Sequence, residues 1–216
     1  MNRLLKASLV ALLLGSVTAC QSAYYAAWEK VVVEKREILV DRVEDARESQ
    51  QDAEEQFTSA LEEFSALIQF DGGDLEEAYQ SLNDQYEASQ AAAEDVTTRI
   101  DKIESVADAL FDEWEAELEE YSNASLKRTS KQTLSETRLK YNKMVRAMRK
   151  VESSMEPVLS TLQDNVLFLK HNLNASAIGA LQGELNNIER DVKTLLTDMQ
   201  SAIAQSNSFI ADMNGG

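Results

Sequence analysis

The sequence predicts an all-α fold, an elongated antiparallel coiled coil or up-down bundle of four long helices. Three observations carry this expectation. The 216 residues include one Pro, seven Gly and 6% aromatics, a balance that suits long helices and disfavours β sandwiches. Apolar residues recur in alternating steps of four and three, the period of helices packed along their length. Short turn-forming breaks separate stretches of similar length, which makes consecutive helices antiparallel neighbours. With 44% apolar residues, the chain holds enough material for a core.

The first stretch, residues 22–70, carries Leu39, Val43, Ala46, Ala53, Phe57, Ala60, Phe64 and Leu67, with Gln50 as a polar interruption. Asp71-Gly72-Gly73-Asp74 then breaks the chain, because paired glycines permit positive φ. Asp74 with Glu77 fits a capping box. The second stretch, 75–121, reads Leu75, Tyr79, Leu82, Tyr86, Ala93, Val96, Ile100, Ile103, Ala107, Leu110, Trp114, Tyr121. Ser122-Asn123-Ala124-Ser125 ends it, with Thr133 and Glu136 as a second candidate cap further on.

The third stretch, 125–172, carries Tyr141, Val145, Met148, Met155, Leu159, Leu162, Val166 and Leu169, with Leu173 continuing the stripe just past it. Pro157 lies off this stripe, so a kink is expected there, with a fresh helix start as the alternative. The fourth, 175–213, carries Ile178, Leu181, Leu185, Ile188, Val192, Leu195, Met199, Ala202, Phe209 and Ile210. Gly179 and Gly183 read as points of close helix packing, with a hinge as the alternative. At 1.5 Å per residue the first three helices would each reach about 70 Å. Periodicity leaves open whether they close into one bundle or splay as two hairpins.

Residues 1–19 have the layout of a secretory signal: a basic start (Arg3, Lys6), an apolar run from Leu9 to Leu14, then small residues. The apolar run is too short to cross a bilayer, which takes roughly 20 residues. Val17-Thr18-Ala19-Cys20 resembles the bacterial lipoprotein box. That resemblance implies cleavage before Cys20, lipid on its sulfur, and acylation of the new amino terminus. Several acyl chains give stable anchoring where one does not. Gln21 follows where an Asp would imply retention at the inner membrane, so the expected place is the periplasmic face of the outer membrane. The mature chain, 20–216, is expected to be one elongated helical domain.

Charge is uneven along the chain. Nine acids lie between Asp101 and Glu120, and nine cations lie between Lys127 and Lys150. Folding at Ser122–Ser125 sets the two runs side by side, where they select register and orientation. The alternative use of the basic run is contact with anionic lipid. A net charge of −17 argues against nucleic acid as a partner.

No chemistry of catalysis is legible. His171 is the only histidine and Cys20 the only cysteine, so neither a Glu-x-x-His di-iron pair nor a zinc site is expected. A Ser-His-Asp site would have to use His171, with Asp164 as orienter, and no nucleophile elbow is present. His171 reads instead as a helix C-terminal residue favoured by the dipole. No metal, no cofactor and no catalytic residue are expected. A cell-wall hydrolase is a remote alternative.

The lipobox with Gln21-Ser22-Ala23-Tyr24-Tyr25, the run from Lys35 to Arg47, Gln69-Phe70-Asp71-Gly72-Gly73, Ala109–Trp114, Tyr121–Leu126 and Leu169–Ala175 together resemble one family. It is a family of Gram-negative lipoproteins catalogued as domain of unknown function 2959. The resemblance spans nearly all of the mature chain, supports its extent and location, and implies no catalytic residue.

The expected role is a non-catalytic spacer, scaffold or adaptor at the cell envelope. Anchored at Cys20, it would present its far turns roughly 70 Å from the membrane. Phe70, Asp71, Gly72, Gly73, Leu167, Phe168 and His171 form the candidate tip for an envelope-protein partner. The run Val166-Leu167-Phe168-Leu169 has four apolar residues where a stripe needs two. The surplus is either sealed inside the bundle or available for docking. A self-assembling, membrane-binding homo-oligomer is the second class of role.

Overall fold

The computed structural model describes residues 2–69, 75–173 and 175–215, with side chains described for 35–69, 75–173 and 178–215. Five helices account for almost all of it: α1 (Asn2–Ile68), α2 (Leu75–Leu118), α3 (Ala124–His171), α4 (Ala175–Leu181) and α5 (Leu185–Asn214). No strand occurs among the described residues. No described helix is long and apolar enough to cross a membrane.

Helix α1 begins twenty residues before the expected boundary and runs for 67 residues. Helix α2 stops at Leu118, because Glu119 and Glu120 turn back onto Ala116 and Glu117 by three-residue bonds. That leaves Tyr121 outside the helix and 41% exposed, although its spacing fits the stripe. Asn123 opens α3: its side-chain oxygen accepts from the Ser125 and Leu126 amides at 2.9 and 3.3 Å. This satisfies two of the orphan donors of a helix start. The later start at Thr133 is therefore not used. Helix α3 also runs unbroken through Pro157, so no fresh helix begins there.

The expected fourth helix is two helices. Residues 182–184 form a tight turn between α4 and α5, with Glu184 N–H donating to the Leu181 carbonyl at 3.0 Å. The reading of Gly179 and Gly183 as close packing points is overturned. A Cβ at Gly179 would meet nothing within 4 Å, and one at Gly183 only the Ala180 carbonyl at 3.6 Å. The physical reason for the break is intrinsic: glycine costs about 1 kcal/mol in a helix interior, and here no neighbour offsets that. Ile178, Leu181 and Ile188 remain buried on both sides of the turn, so the apolar stripe keeps phase while the backbone does not.

The helices close into a ring. α1 packs on α2, α2 on α3, α3 on α5 and α5 on α1, while α4 touches α1 and α3. This settles the choice between a closed bundle and splayed hairpins in favour of the bundle. Side-chain pairs show each seam to be antiparallel. Across α1–α2, Lys35 reaches Glu113 at 2.9 Å and Gln56 reaches Gln85 at 2.8 Å. Across α3–α5, Lys140 meets Asp212 and Lys150 meets Asp198. Across α5–α1, Gln200 donates to Glu54 and Arg36 to the Met213 carbonyl.

The core is the axis of this ring. Leu39, Val43, Phe57, Phe64, Leu82, Ile100, Ile103, Met148, Leu162, Leu195 and Met199 are essentially inaccessible. Where Glu152 interrupts the α3 stripe, its neighbour Val151 occupies the core instead. Near one end Tyr141 of α3 stacks edge-on against Phe111 of α2, centroids 5.3 Å apart, and lies 6.4 Å from Phe209 of α5. Burial, with Glu104 and Asp108 nearby, pushes the Tyr141 phenol above its ordinary range. Gln50 is fully buried, and neither its oxygen nor its nitrogen has a hydrogen-bond partner.

Candidate functional site

The two ends of the ring differ in what they gather. One end joins Lys35 and Arg36 of α1, the α2–α3 turn and the C-terminal turn of α5. A groove of ≈ 300 Å³ there is lined by Arg36, Trp114, Glu117, Thr133, Asp212 and Met213, so all four long helices contribute. The Trp114 indole nitrogen donates to the Ser130 hydroxyl at 2.9 Å. Burial, together with the Glu113 and Glu120 carboxylates, holds the Glu117 carboxyl above its ordinary range, with Lys35 opposing.

The other end holds the candidate tip. Phe70, Asp71, Gly72 and Gly73 lie outside the described residues, as does the side chain of Cys20. Of the run Val166–Leu169, Val166 and Leu169 enter the core, whereas Leu167 is 50% and Phe168 39% exposed. The helical period dictates this division: positions three apart share the inward face, and the surplus pair between them must face out. The sealed alternative for these two side chains does not hold. His171 is the last residue of α3 and is exposed, with no hydrogen-bond or ion-pair partner among the described residues, Asp164 included. No group of three or more metal-binding side chains occurs among the described residues.

A groove that sequence reasoning missed lies beside Phe168. It has a volume of ≈ 390 Å³ between α3 and the α4–α5 turn, and Asp164, Asn165, Phe168, Leu181 and Glu184 are among its walls. The break at 182–184 brings Glu184 to it. The one available signal was Gly183, which the unbroken stripe outweighed.

The charge seam is real but divided. Lys127 pairs with Glu119 at 3.0 Å, Arg138 with Glu115, and Arg149 with both Asp101 and Glu104 at 2.6 Å. Glu152 adds a third acid to Arg149 at 2.8 Å. The hydrogen bond to Glu104, reinforced by Asp101 and Glu152, holds the guanidinium proton more tightly than usual. Lys140 and Lys150 turn instead to Asp212 and Asp198 of α5. Arg128, Lys131, Lys143 and Arg146 have no acid partner among the described residues and lie toward solvent. A ring of four gives α3 two neighbours, which is why pairing with α2 alone does not account for the run.

Residues 24–213 match the sequence profile of a family described as a protein of unknown function, DUF2959. None of the curated proteins matches the chain.

Proposed function

The chain belongs to that family of unknown function, and we propose that it is a lipid-anchored periplasmic spacer or adaptor without catalytic activity. Its anchor is Cys20, its membrane the outer one, and its partner an envelope protein met by the far end of the bundle. One observation carries the reading. The contacts of Lys35 and Arg36 with Glu113 and Met213 join the start of the bundle to one end. The exposed pair Leu167–Phe168 sits at the other end of α3, whose 48 residues span about 70 Å. This supports the reading that the ring, from the Lys35–Arg36 end to the Leu167–Phe168 end, is the spacer between an anchor on the N-terminal side and a partner at the far end. The lipoprotein-box resemblance at Val17–Cys20 supports the anchoring half of the reading.

The test is a photo-crosslinking amino acid at position 168 in intact cells. A discrete adduct that disappears with Leu167→Ala, while circular dichroism stays unchanged, is the expected result. No adduct, or the same adduct pattern from a probe placed mid-bundle, would remove the adaptor role. Mass spectrometry of the membrane fraction should find Cys20 acylated; a free thiol would remove the anchor.

A second reading rests on the four solvent-facing cations Arg128, Lys131, Lys143 and Arg146. They suit a membrane-binding, self-assembling role. Sedimentation with anionic vesicles by Cys20→Ser protein, abolished when the four are changed to Gln, would favour it over the adaptor.

A further inference from the structure

The groove between α3 and the α4–α5 turn has a consistent chemistry. Asp164 and Glu184 contribute carboxylates, and Asn165 contributes an amide. Asn165 is 4% exposed; its nitrogen donates to the Thr161 carbonyl at 2.7 Å, and its oxygen accepts from no described residue. The Thr161 hydroxyl already donates to the Pro157 carbonyl at 3.0 Å. Glu184 already accepts from the Asn187 amide through Oε2 at 3.3 Å, so among the described residues the free polar capacity of the groove is mainly acceptors, two carboxylates and the Asn165 oxygen against the one remaining N–H of Asn165. Phe168 stands at its edge, 39% exposed, with Leu181 beneath. Acceptors beside an aromatic face are complementary to a cation on an aliphatic stem, which places its charge on oxygen and its methylenes on the ring.

We infer that this groove binds a lysine or arginine side chain from a basic segment of the partner protein. The inference rests on the adaptor reading and names the chemistry of its docking end. It makes Asp164 and Glu184 the charge contacts, the Asn165 oxygen the acceptor that fixes orientation, and Phe168 the platform. Leu167, one position along the same exposed helix face, extends the apolar contact beyond the groove.

The test uses the full chain and a fluorescein-labelled octapeptide with two central lysines flanked by leucines and otherwise glycine and serine. Fluorescence anisotropy should show saturable binding that weakens with sodium chloride. The double variant Asp164→Asn with Glu184→Gln should bind at least about tenfold more weakly, since two charge-assisted contacts are lost. Phe168→Ala should weaken binding about fivefold. The double variant Glu94→Gln with Glu156→Gln, in a separate groove between α2 and α3, should bind within about twofold of the parent.

Equal binding of the lysine-acetylated peptide would overturn the proposal, as would equal losses in the control variant, which would reveal diffuse acidity. Displacement of the peptide by calcium chloride beyond its ionic strength would make the groove a metal site and also overturn it. Absence of octapeptide binding while the position-168 adduct persists in cells would sink this groove chemistry and leave the adaptor reading standing. The reverse pattern would do the opposite.

Discussion

Replacing Gln50 with Met should make the protein more stable. Gln50 sits on the α1 stripe one turn from Ala46 and one from Ala53, and is fully inaccessible. Its Oε1 and Nε2 have no partner. A buried polar group left unsatisfied costs about 1–3 kcal/mol, and methionine has nearly the same length and volume, so little strain is added. The expected gain is about 2 kcal/mol, which for a chain of this size raises Tm by about 4–8 °C. Urea unfolding followed by circular dichroism should show a higher midpoint at unchanged slope. Gln56 provides the contrast: its amide donates to Gln85 Oε1 at 2.8 Å and approaches the Ser89 hydroxyl at 3.4 Å. Gln56→Met should therefore cost about 1 kcal/mol. A Gln50→Met protein that is unchanged or weaker would mean the amide is satisfied in solution, and the account of this layer would be wrong.

Three further outcomes follow from other sites. Gly183→Ala should stabilise by about 0.5–1 kcal/mol and raise the helical signal, because a Cβ there meets only the Ala180 carbonyl at ordinary contact distance; a lower Tm would argue that the turn is needed. Arg149→Met removes the hub of Asp101, Glu104 and Glu152 and should cost about 1–2 kcal/mol at low salt and less at high salt; a salt-independent loss would point to packing instead. Glu117 has its carboxyl pKa raised, first by burial, so the folded state favours the protonated form. Its contribution is present below the ordinary carboxylate range and is lost as pH rises through that range and just above it. Glu117→Gln should therefore stabilise at neutral pH and lose that advantage once the medium is acid enough to protonate an ordinary carboxylate; an equal gain under both conditions would refute the assignment.

The core was legible because long helices leave a long record. All nine positions read on α1 from Leu39 to Leu67, Gln50 included, are buried, since a 4-3 step repeated over many turns keeps one face of a helix pointed at the same neighbours. The stripes failed at their ends. Tyr121 and Leu173 keep the period but lie past the last helical turn, and both are exposed. The α4–α5 break was hidden for a related reason: periodicity reports which face is buried, and the face stays in phase across 182–184. The partners of Lys140 and Lys150 were not legible at all. Asp212 and Asp198 lie far along the chain, and only closure of the ring brings them near. The tip was half legible: four consecutive apolar residues announced a surplus, but the groove beside it depends on a turn whose only trace was one glycine.

The α1–α5 seam joins the first helix to the last. Arg47 and Asn207 meet across 160 residues of chain. Until α5 emerges, α1 and α3 each lack one flank, and their stripes stay wet. The closed ring therefore requires α5, whose 30 residues pack on both α1 and α3. A chain exported N-terminus first, as the proposed anchor requires, then has no finished fold to obstruct passage.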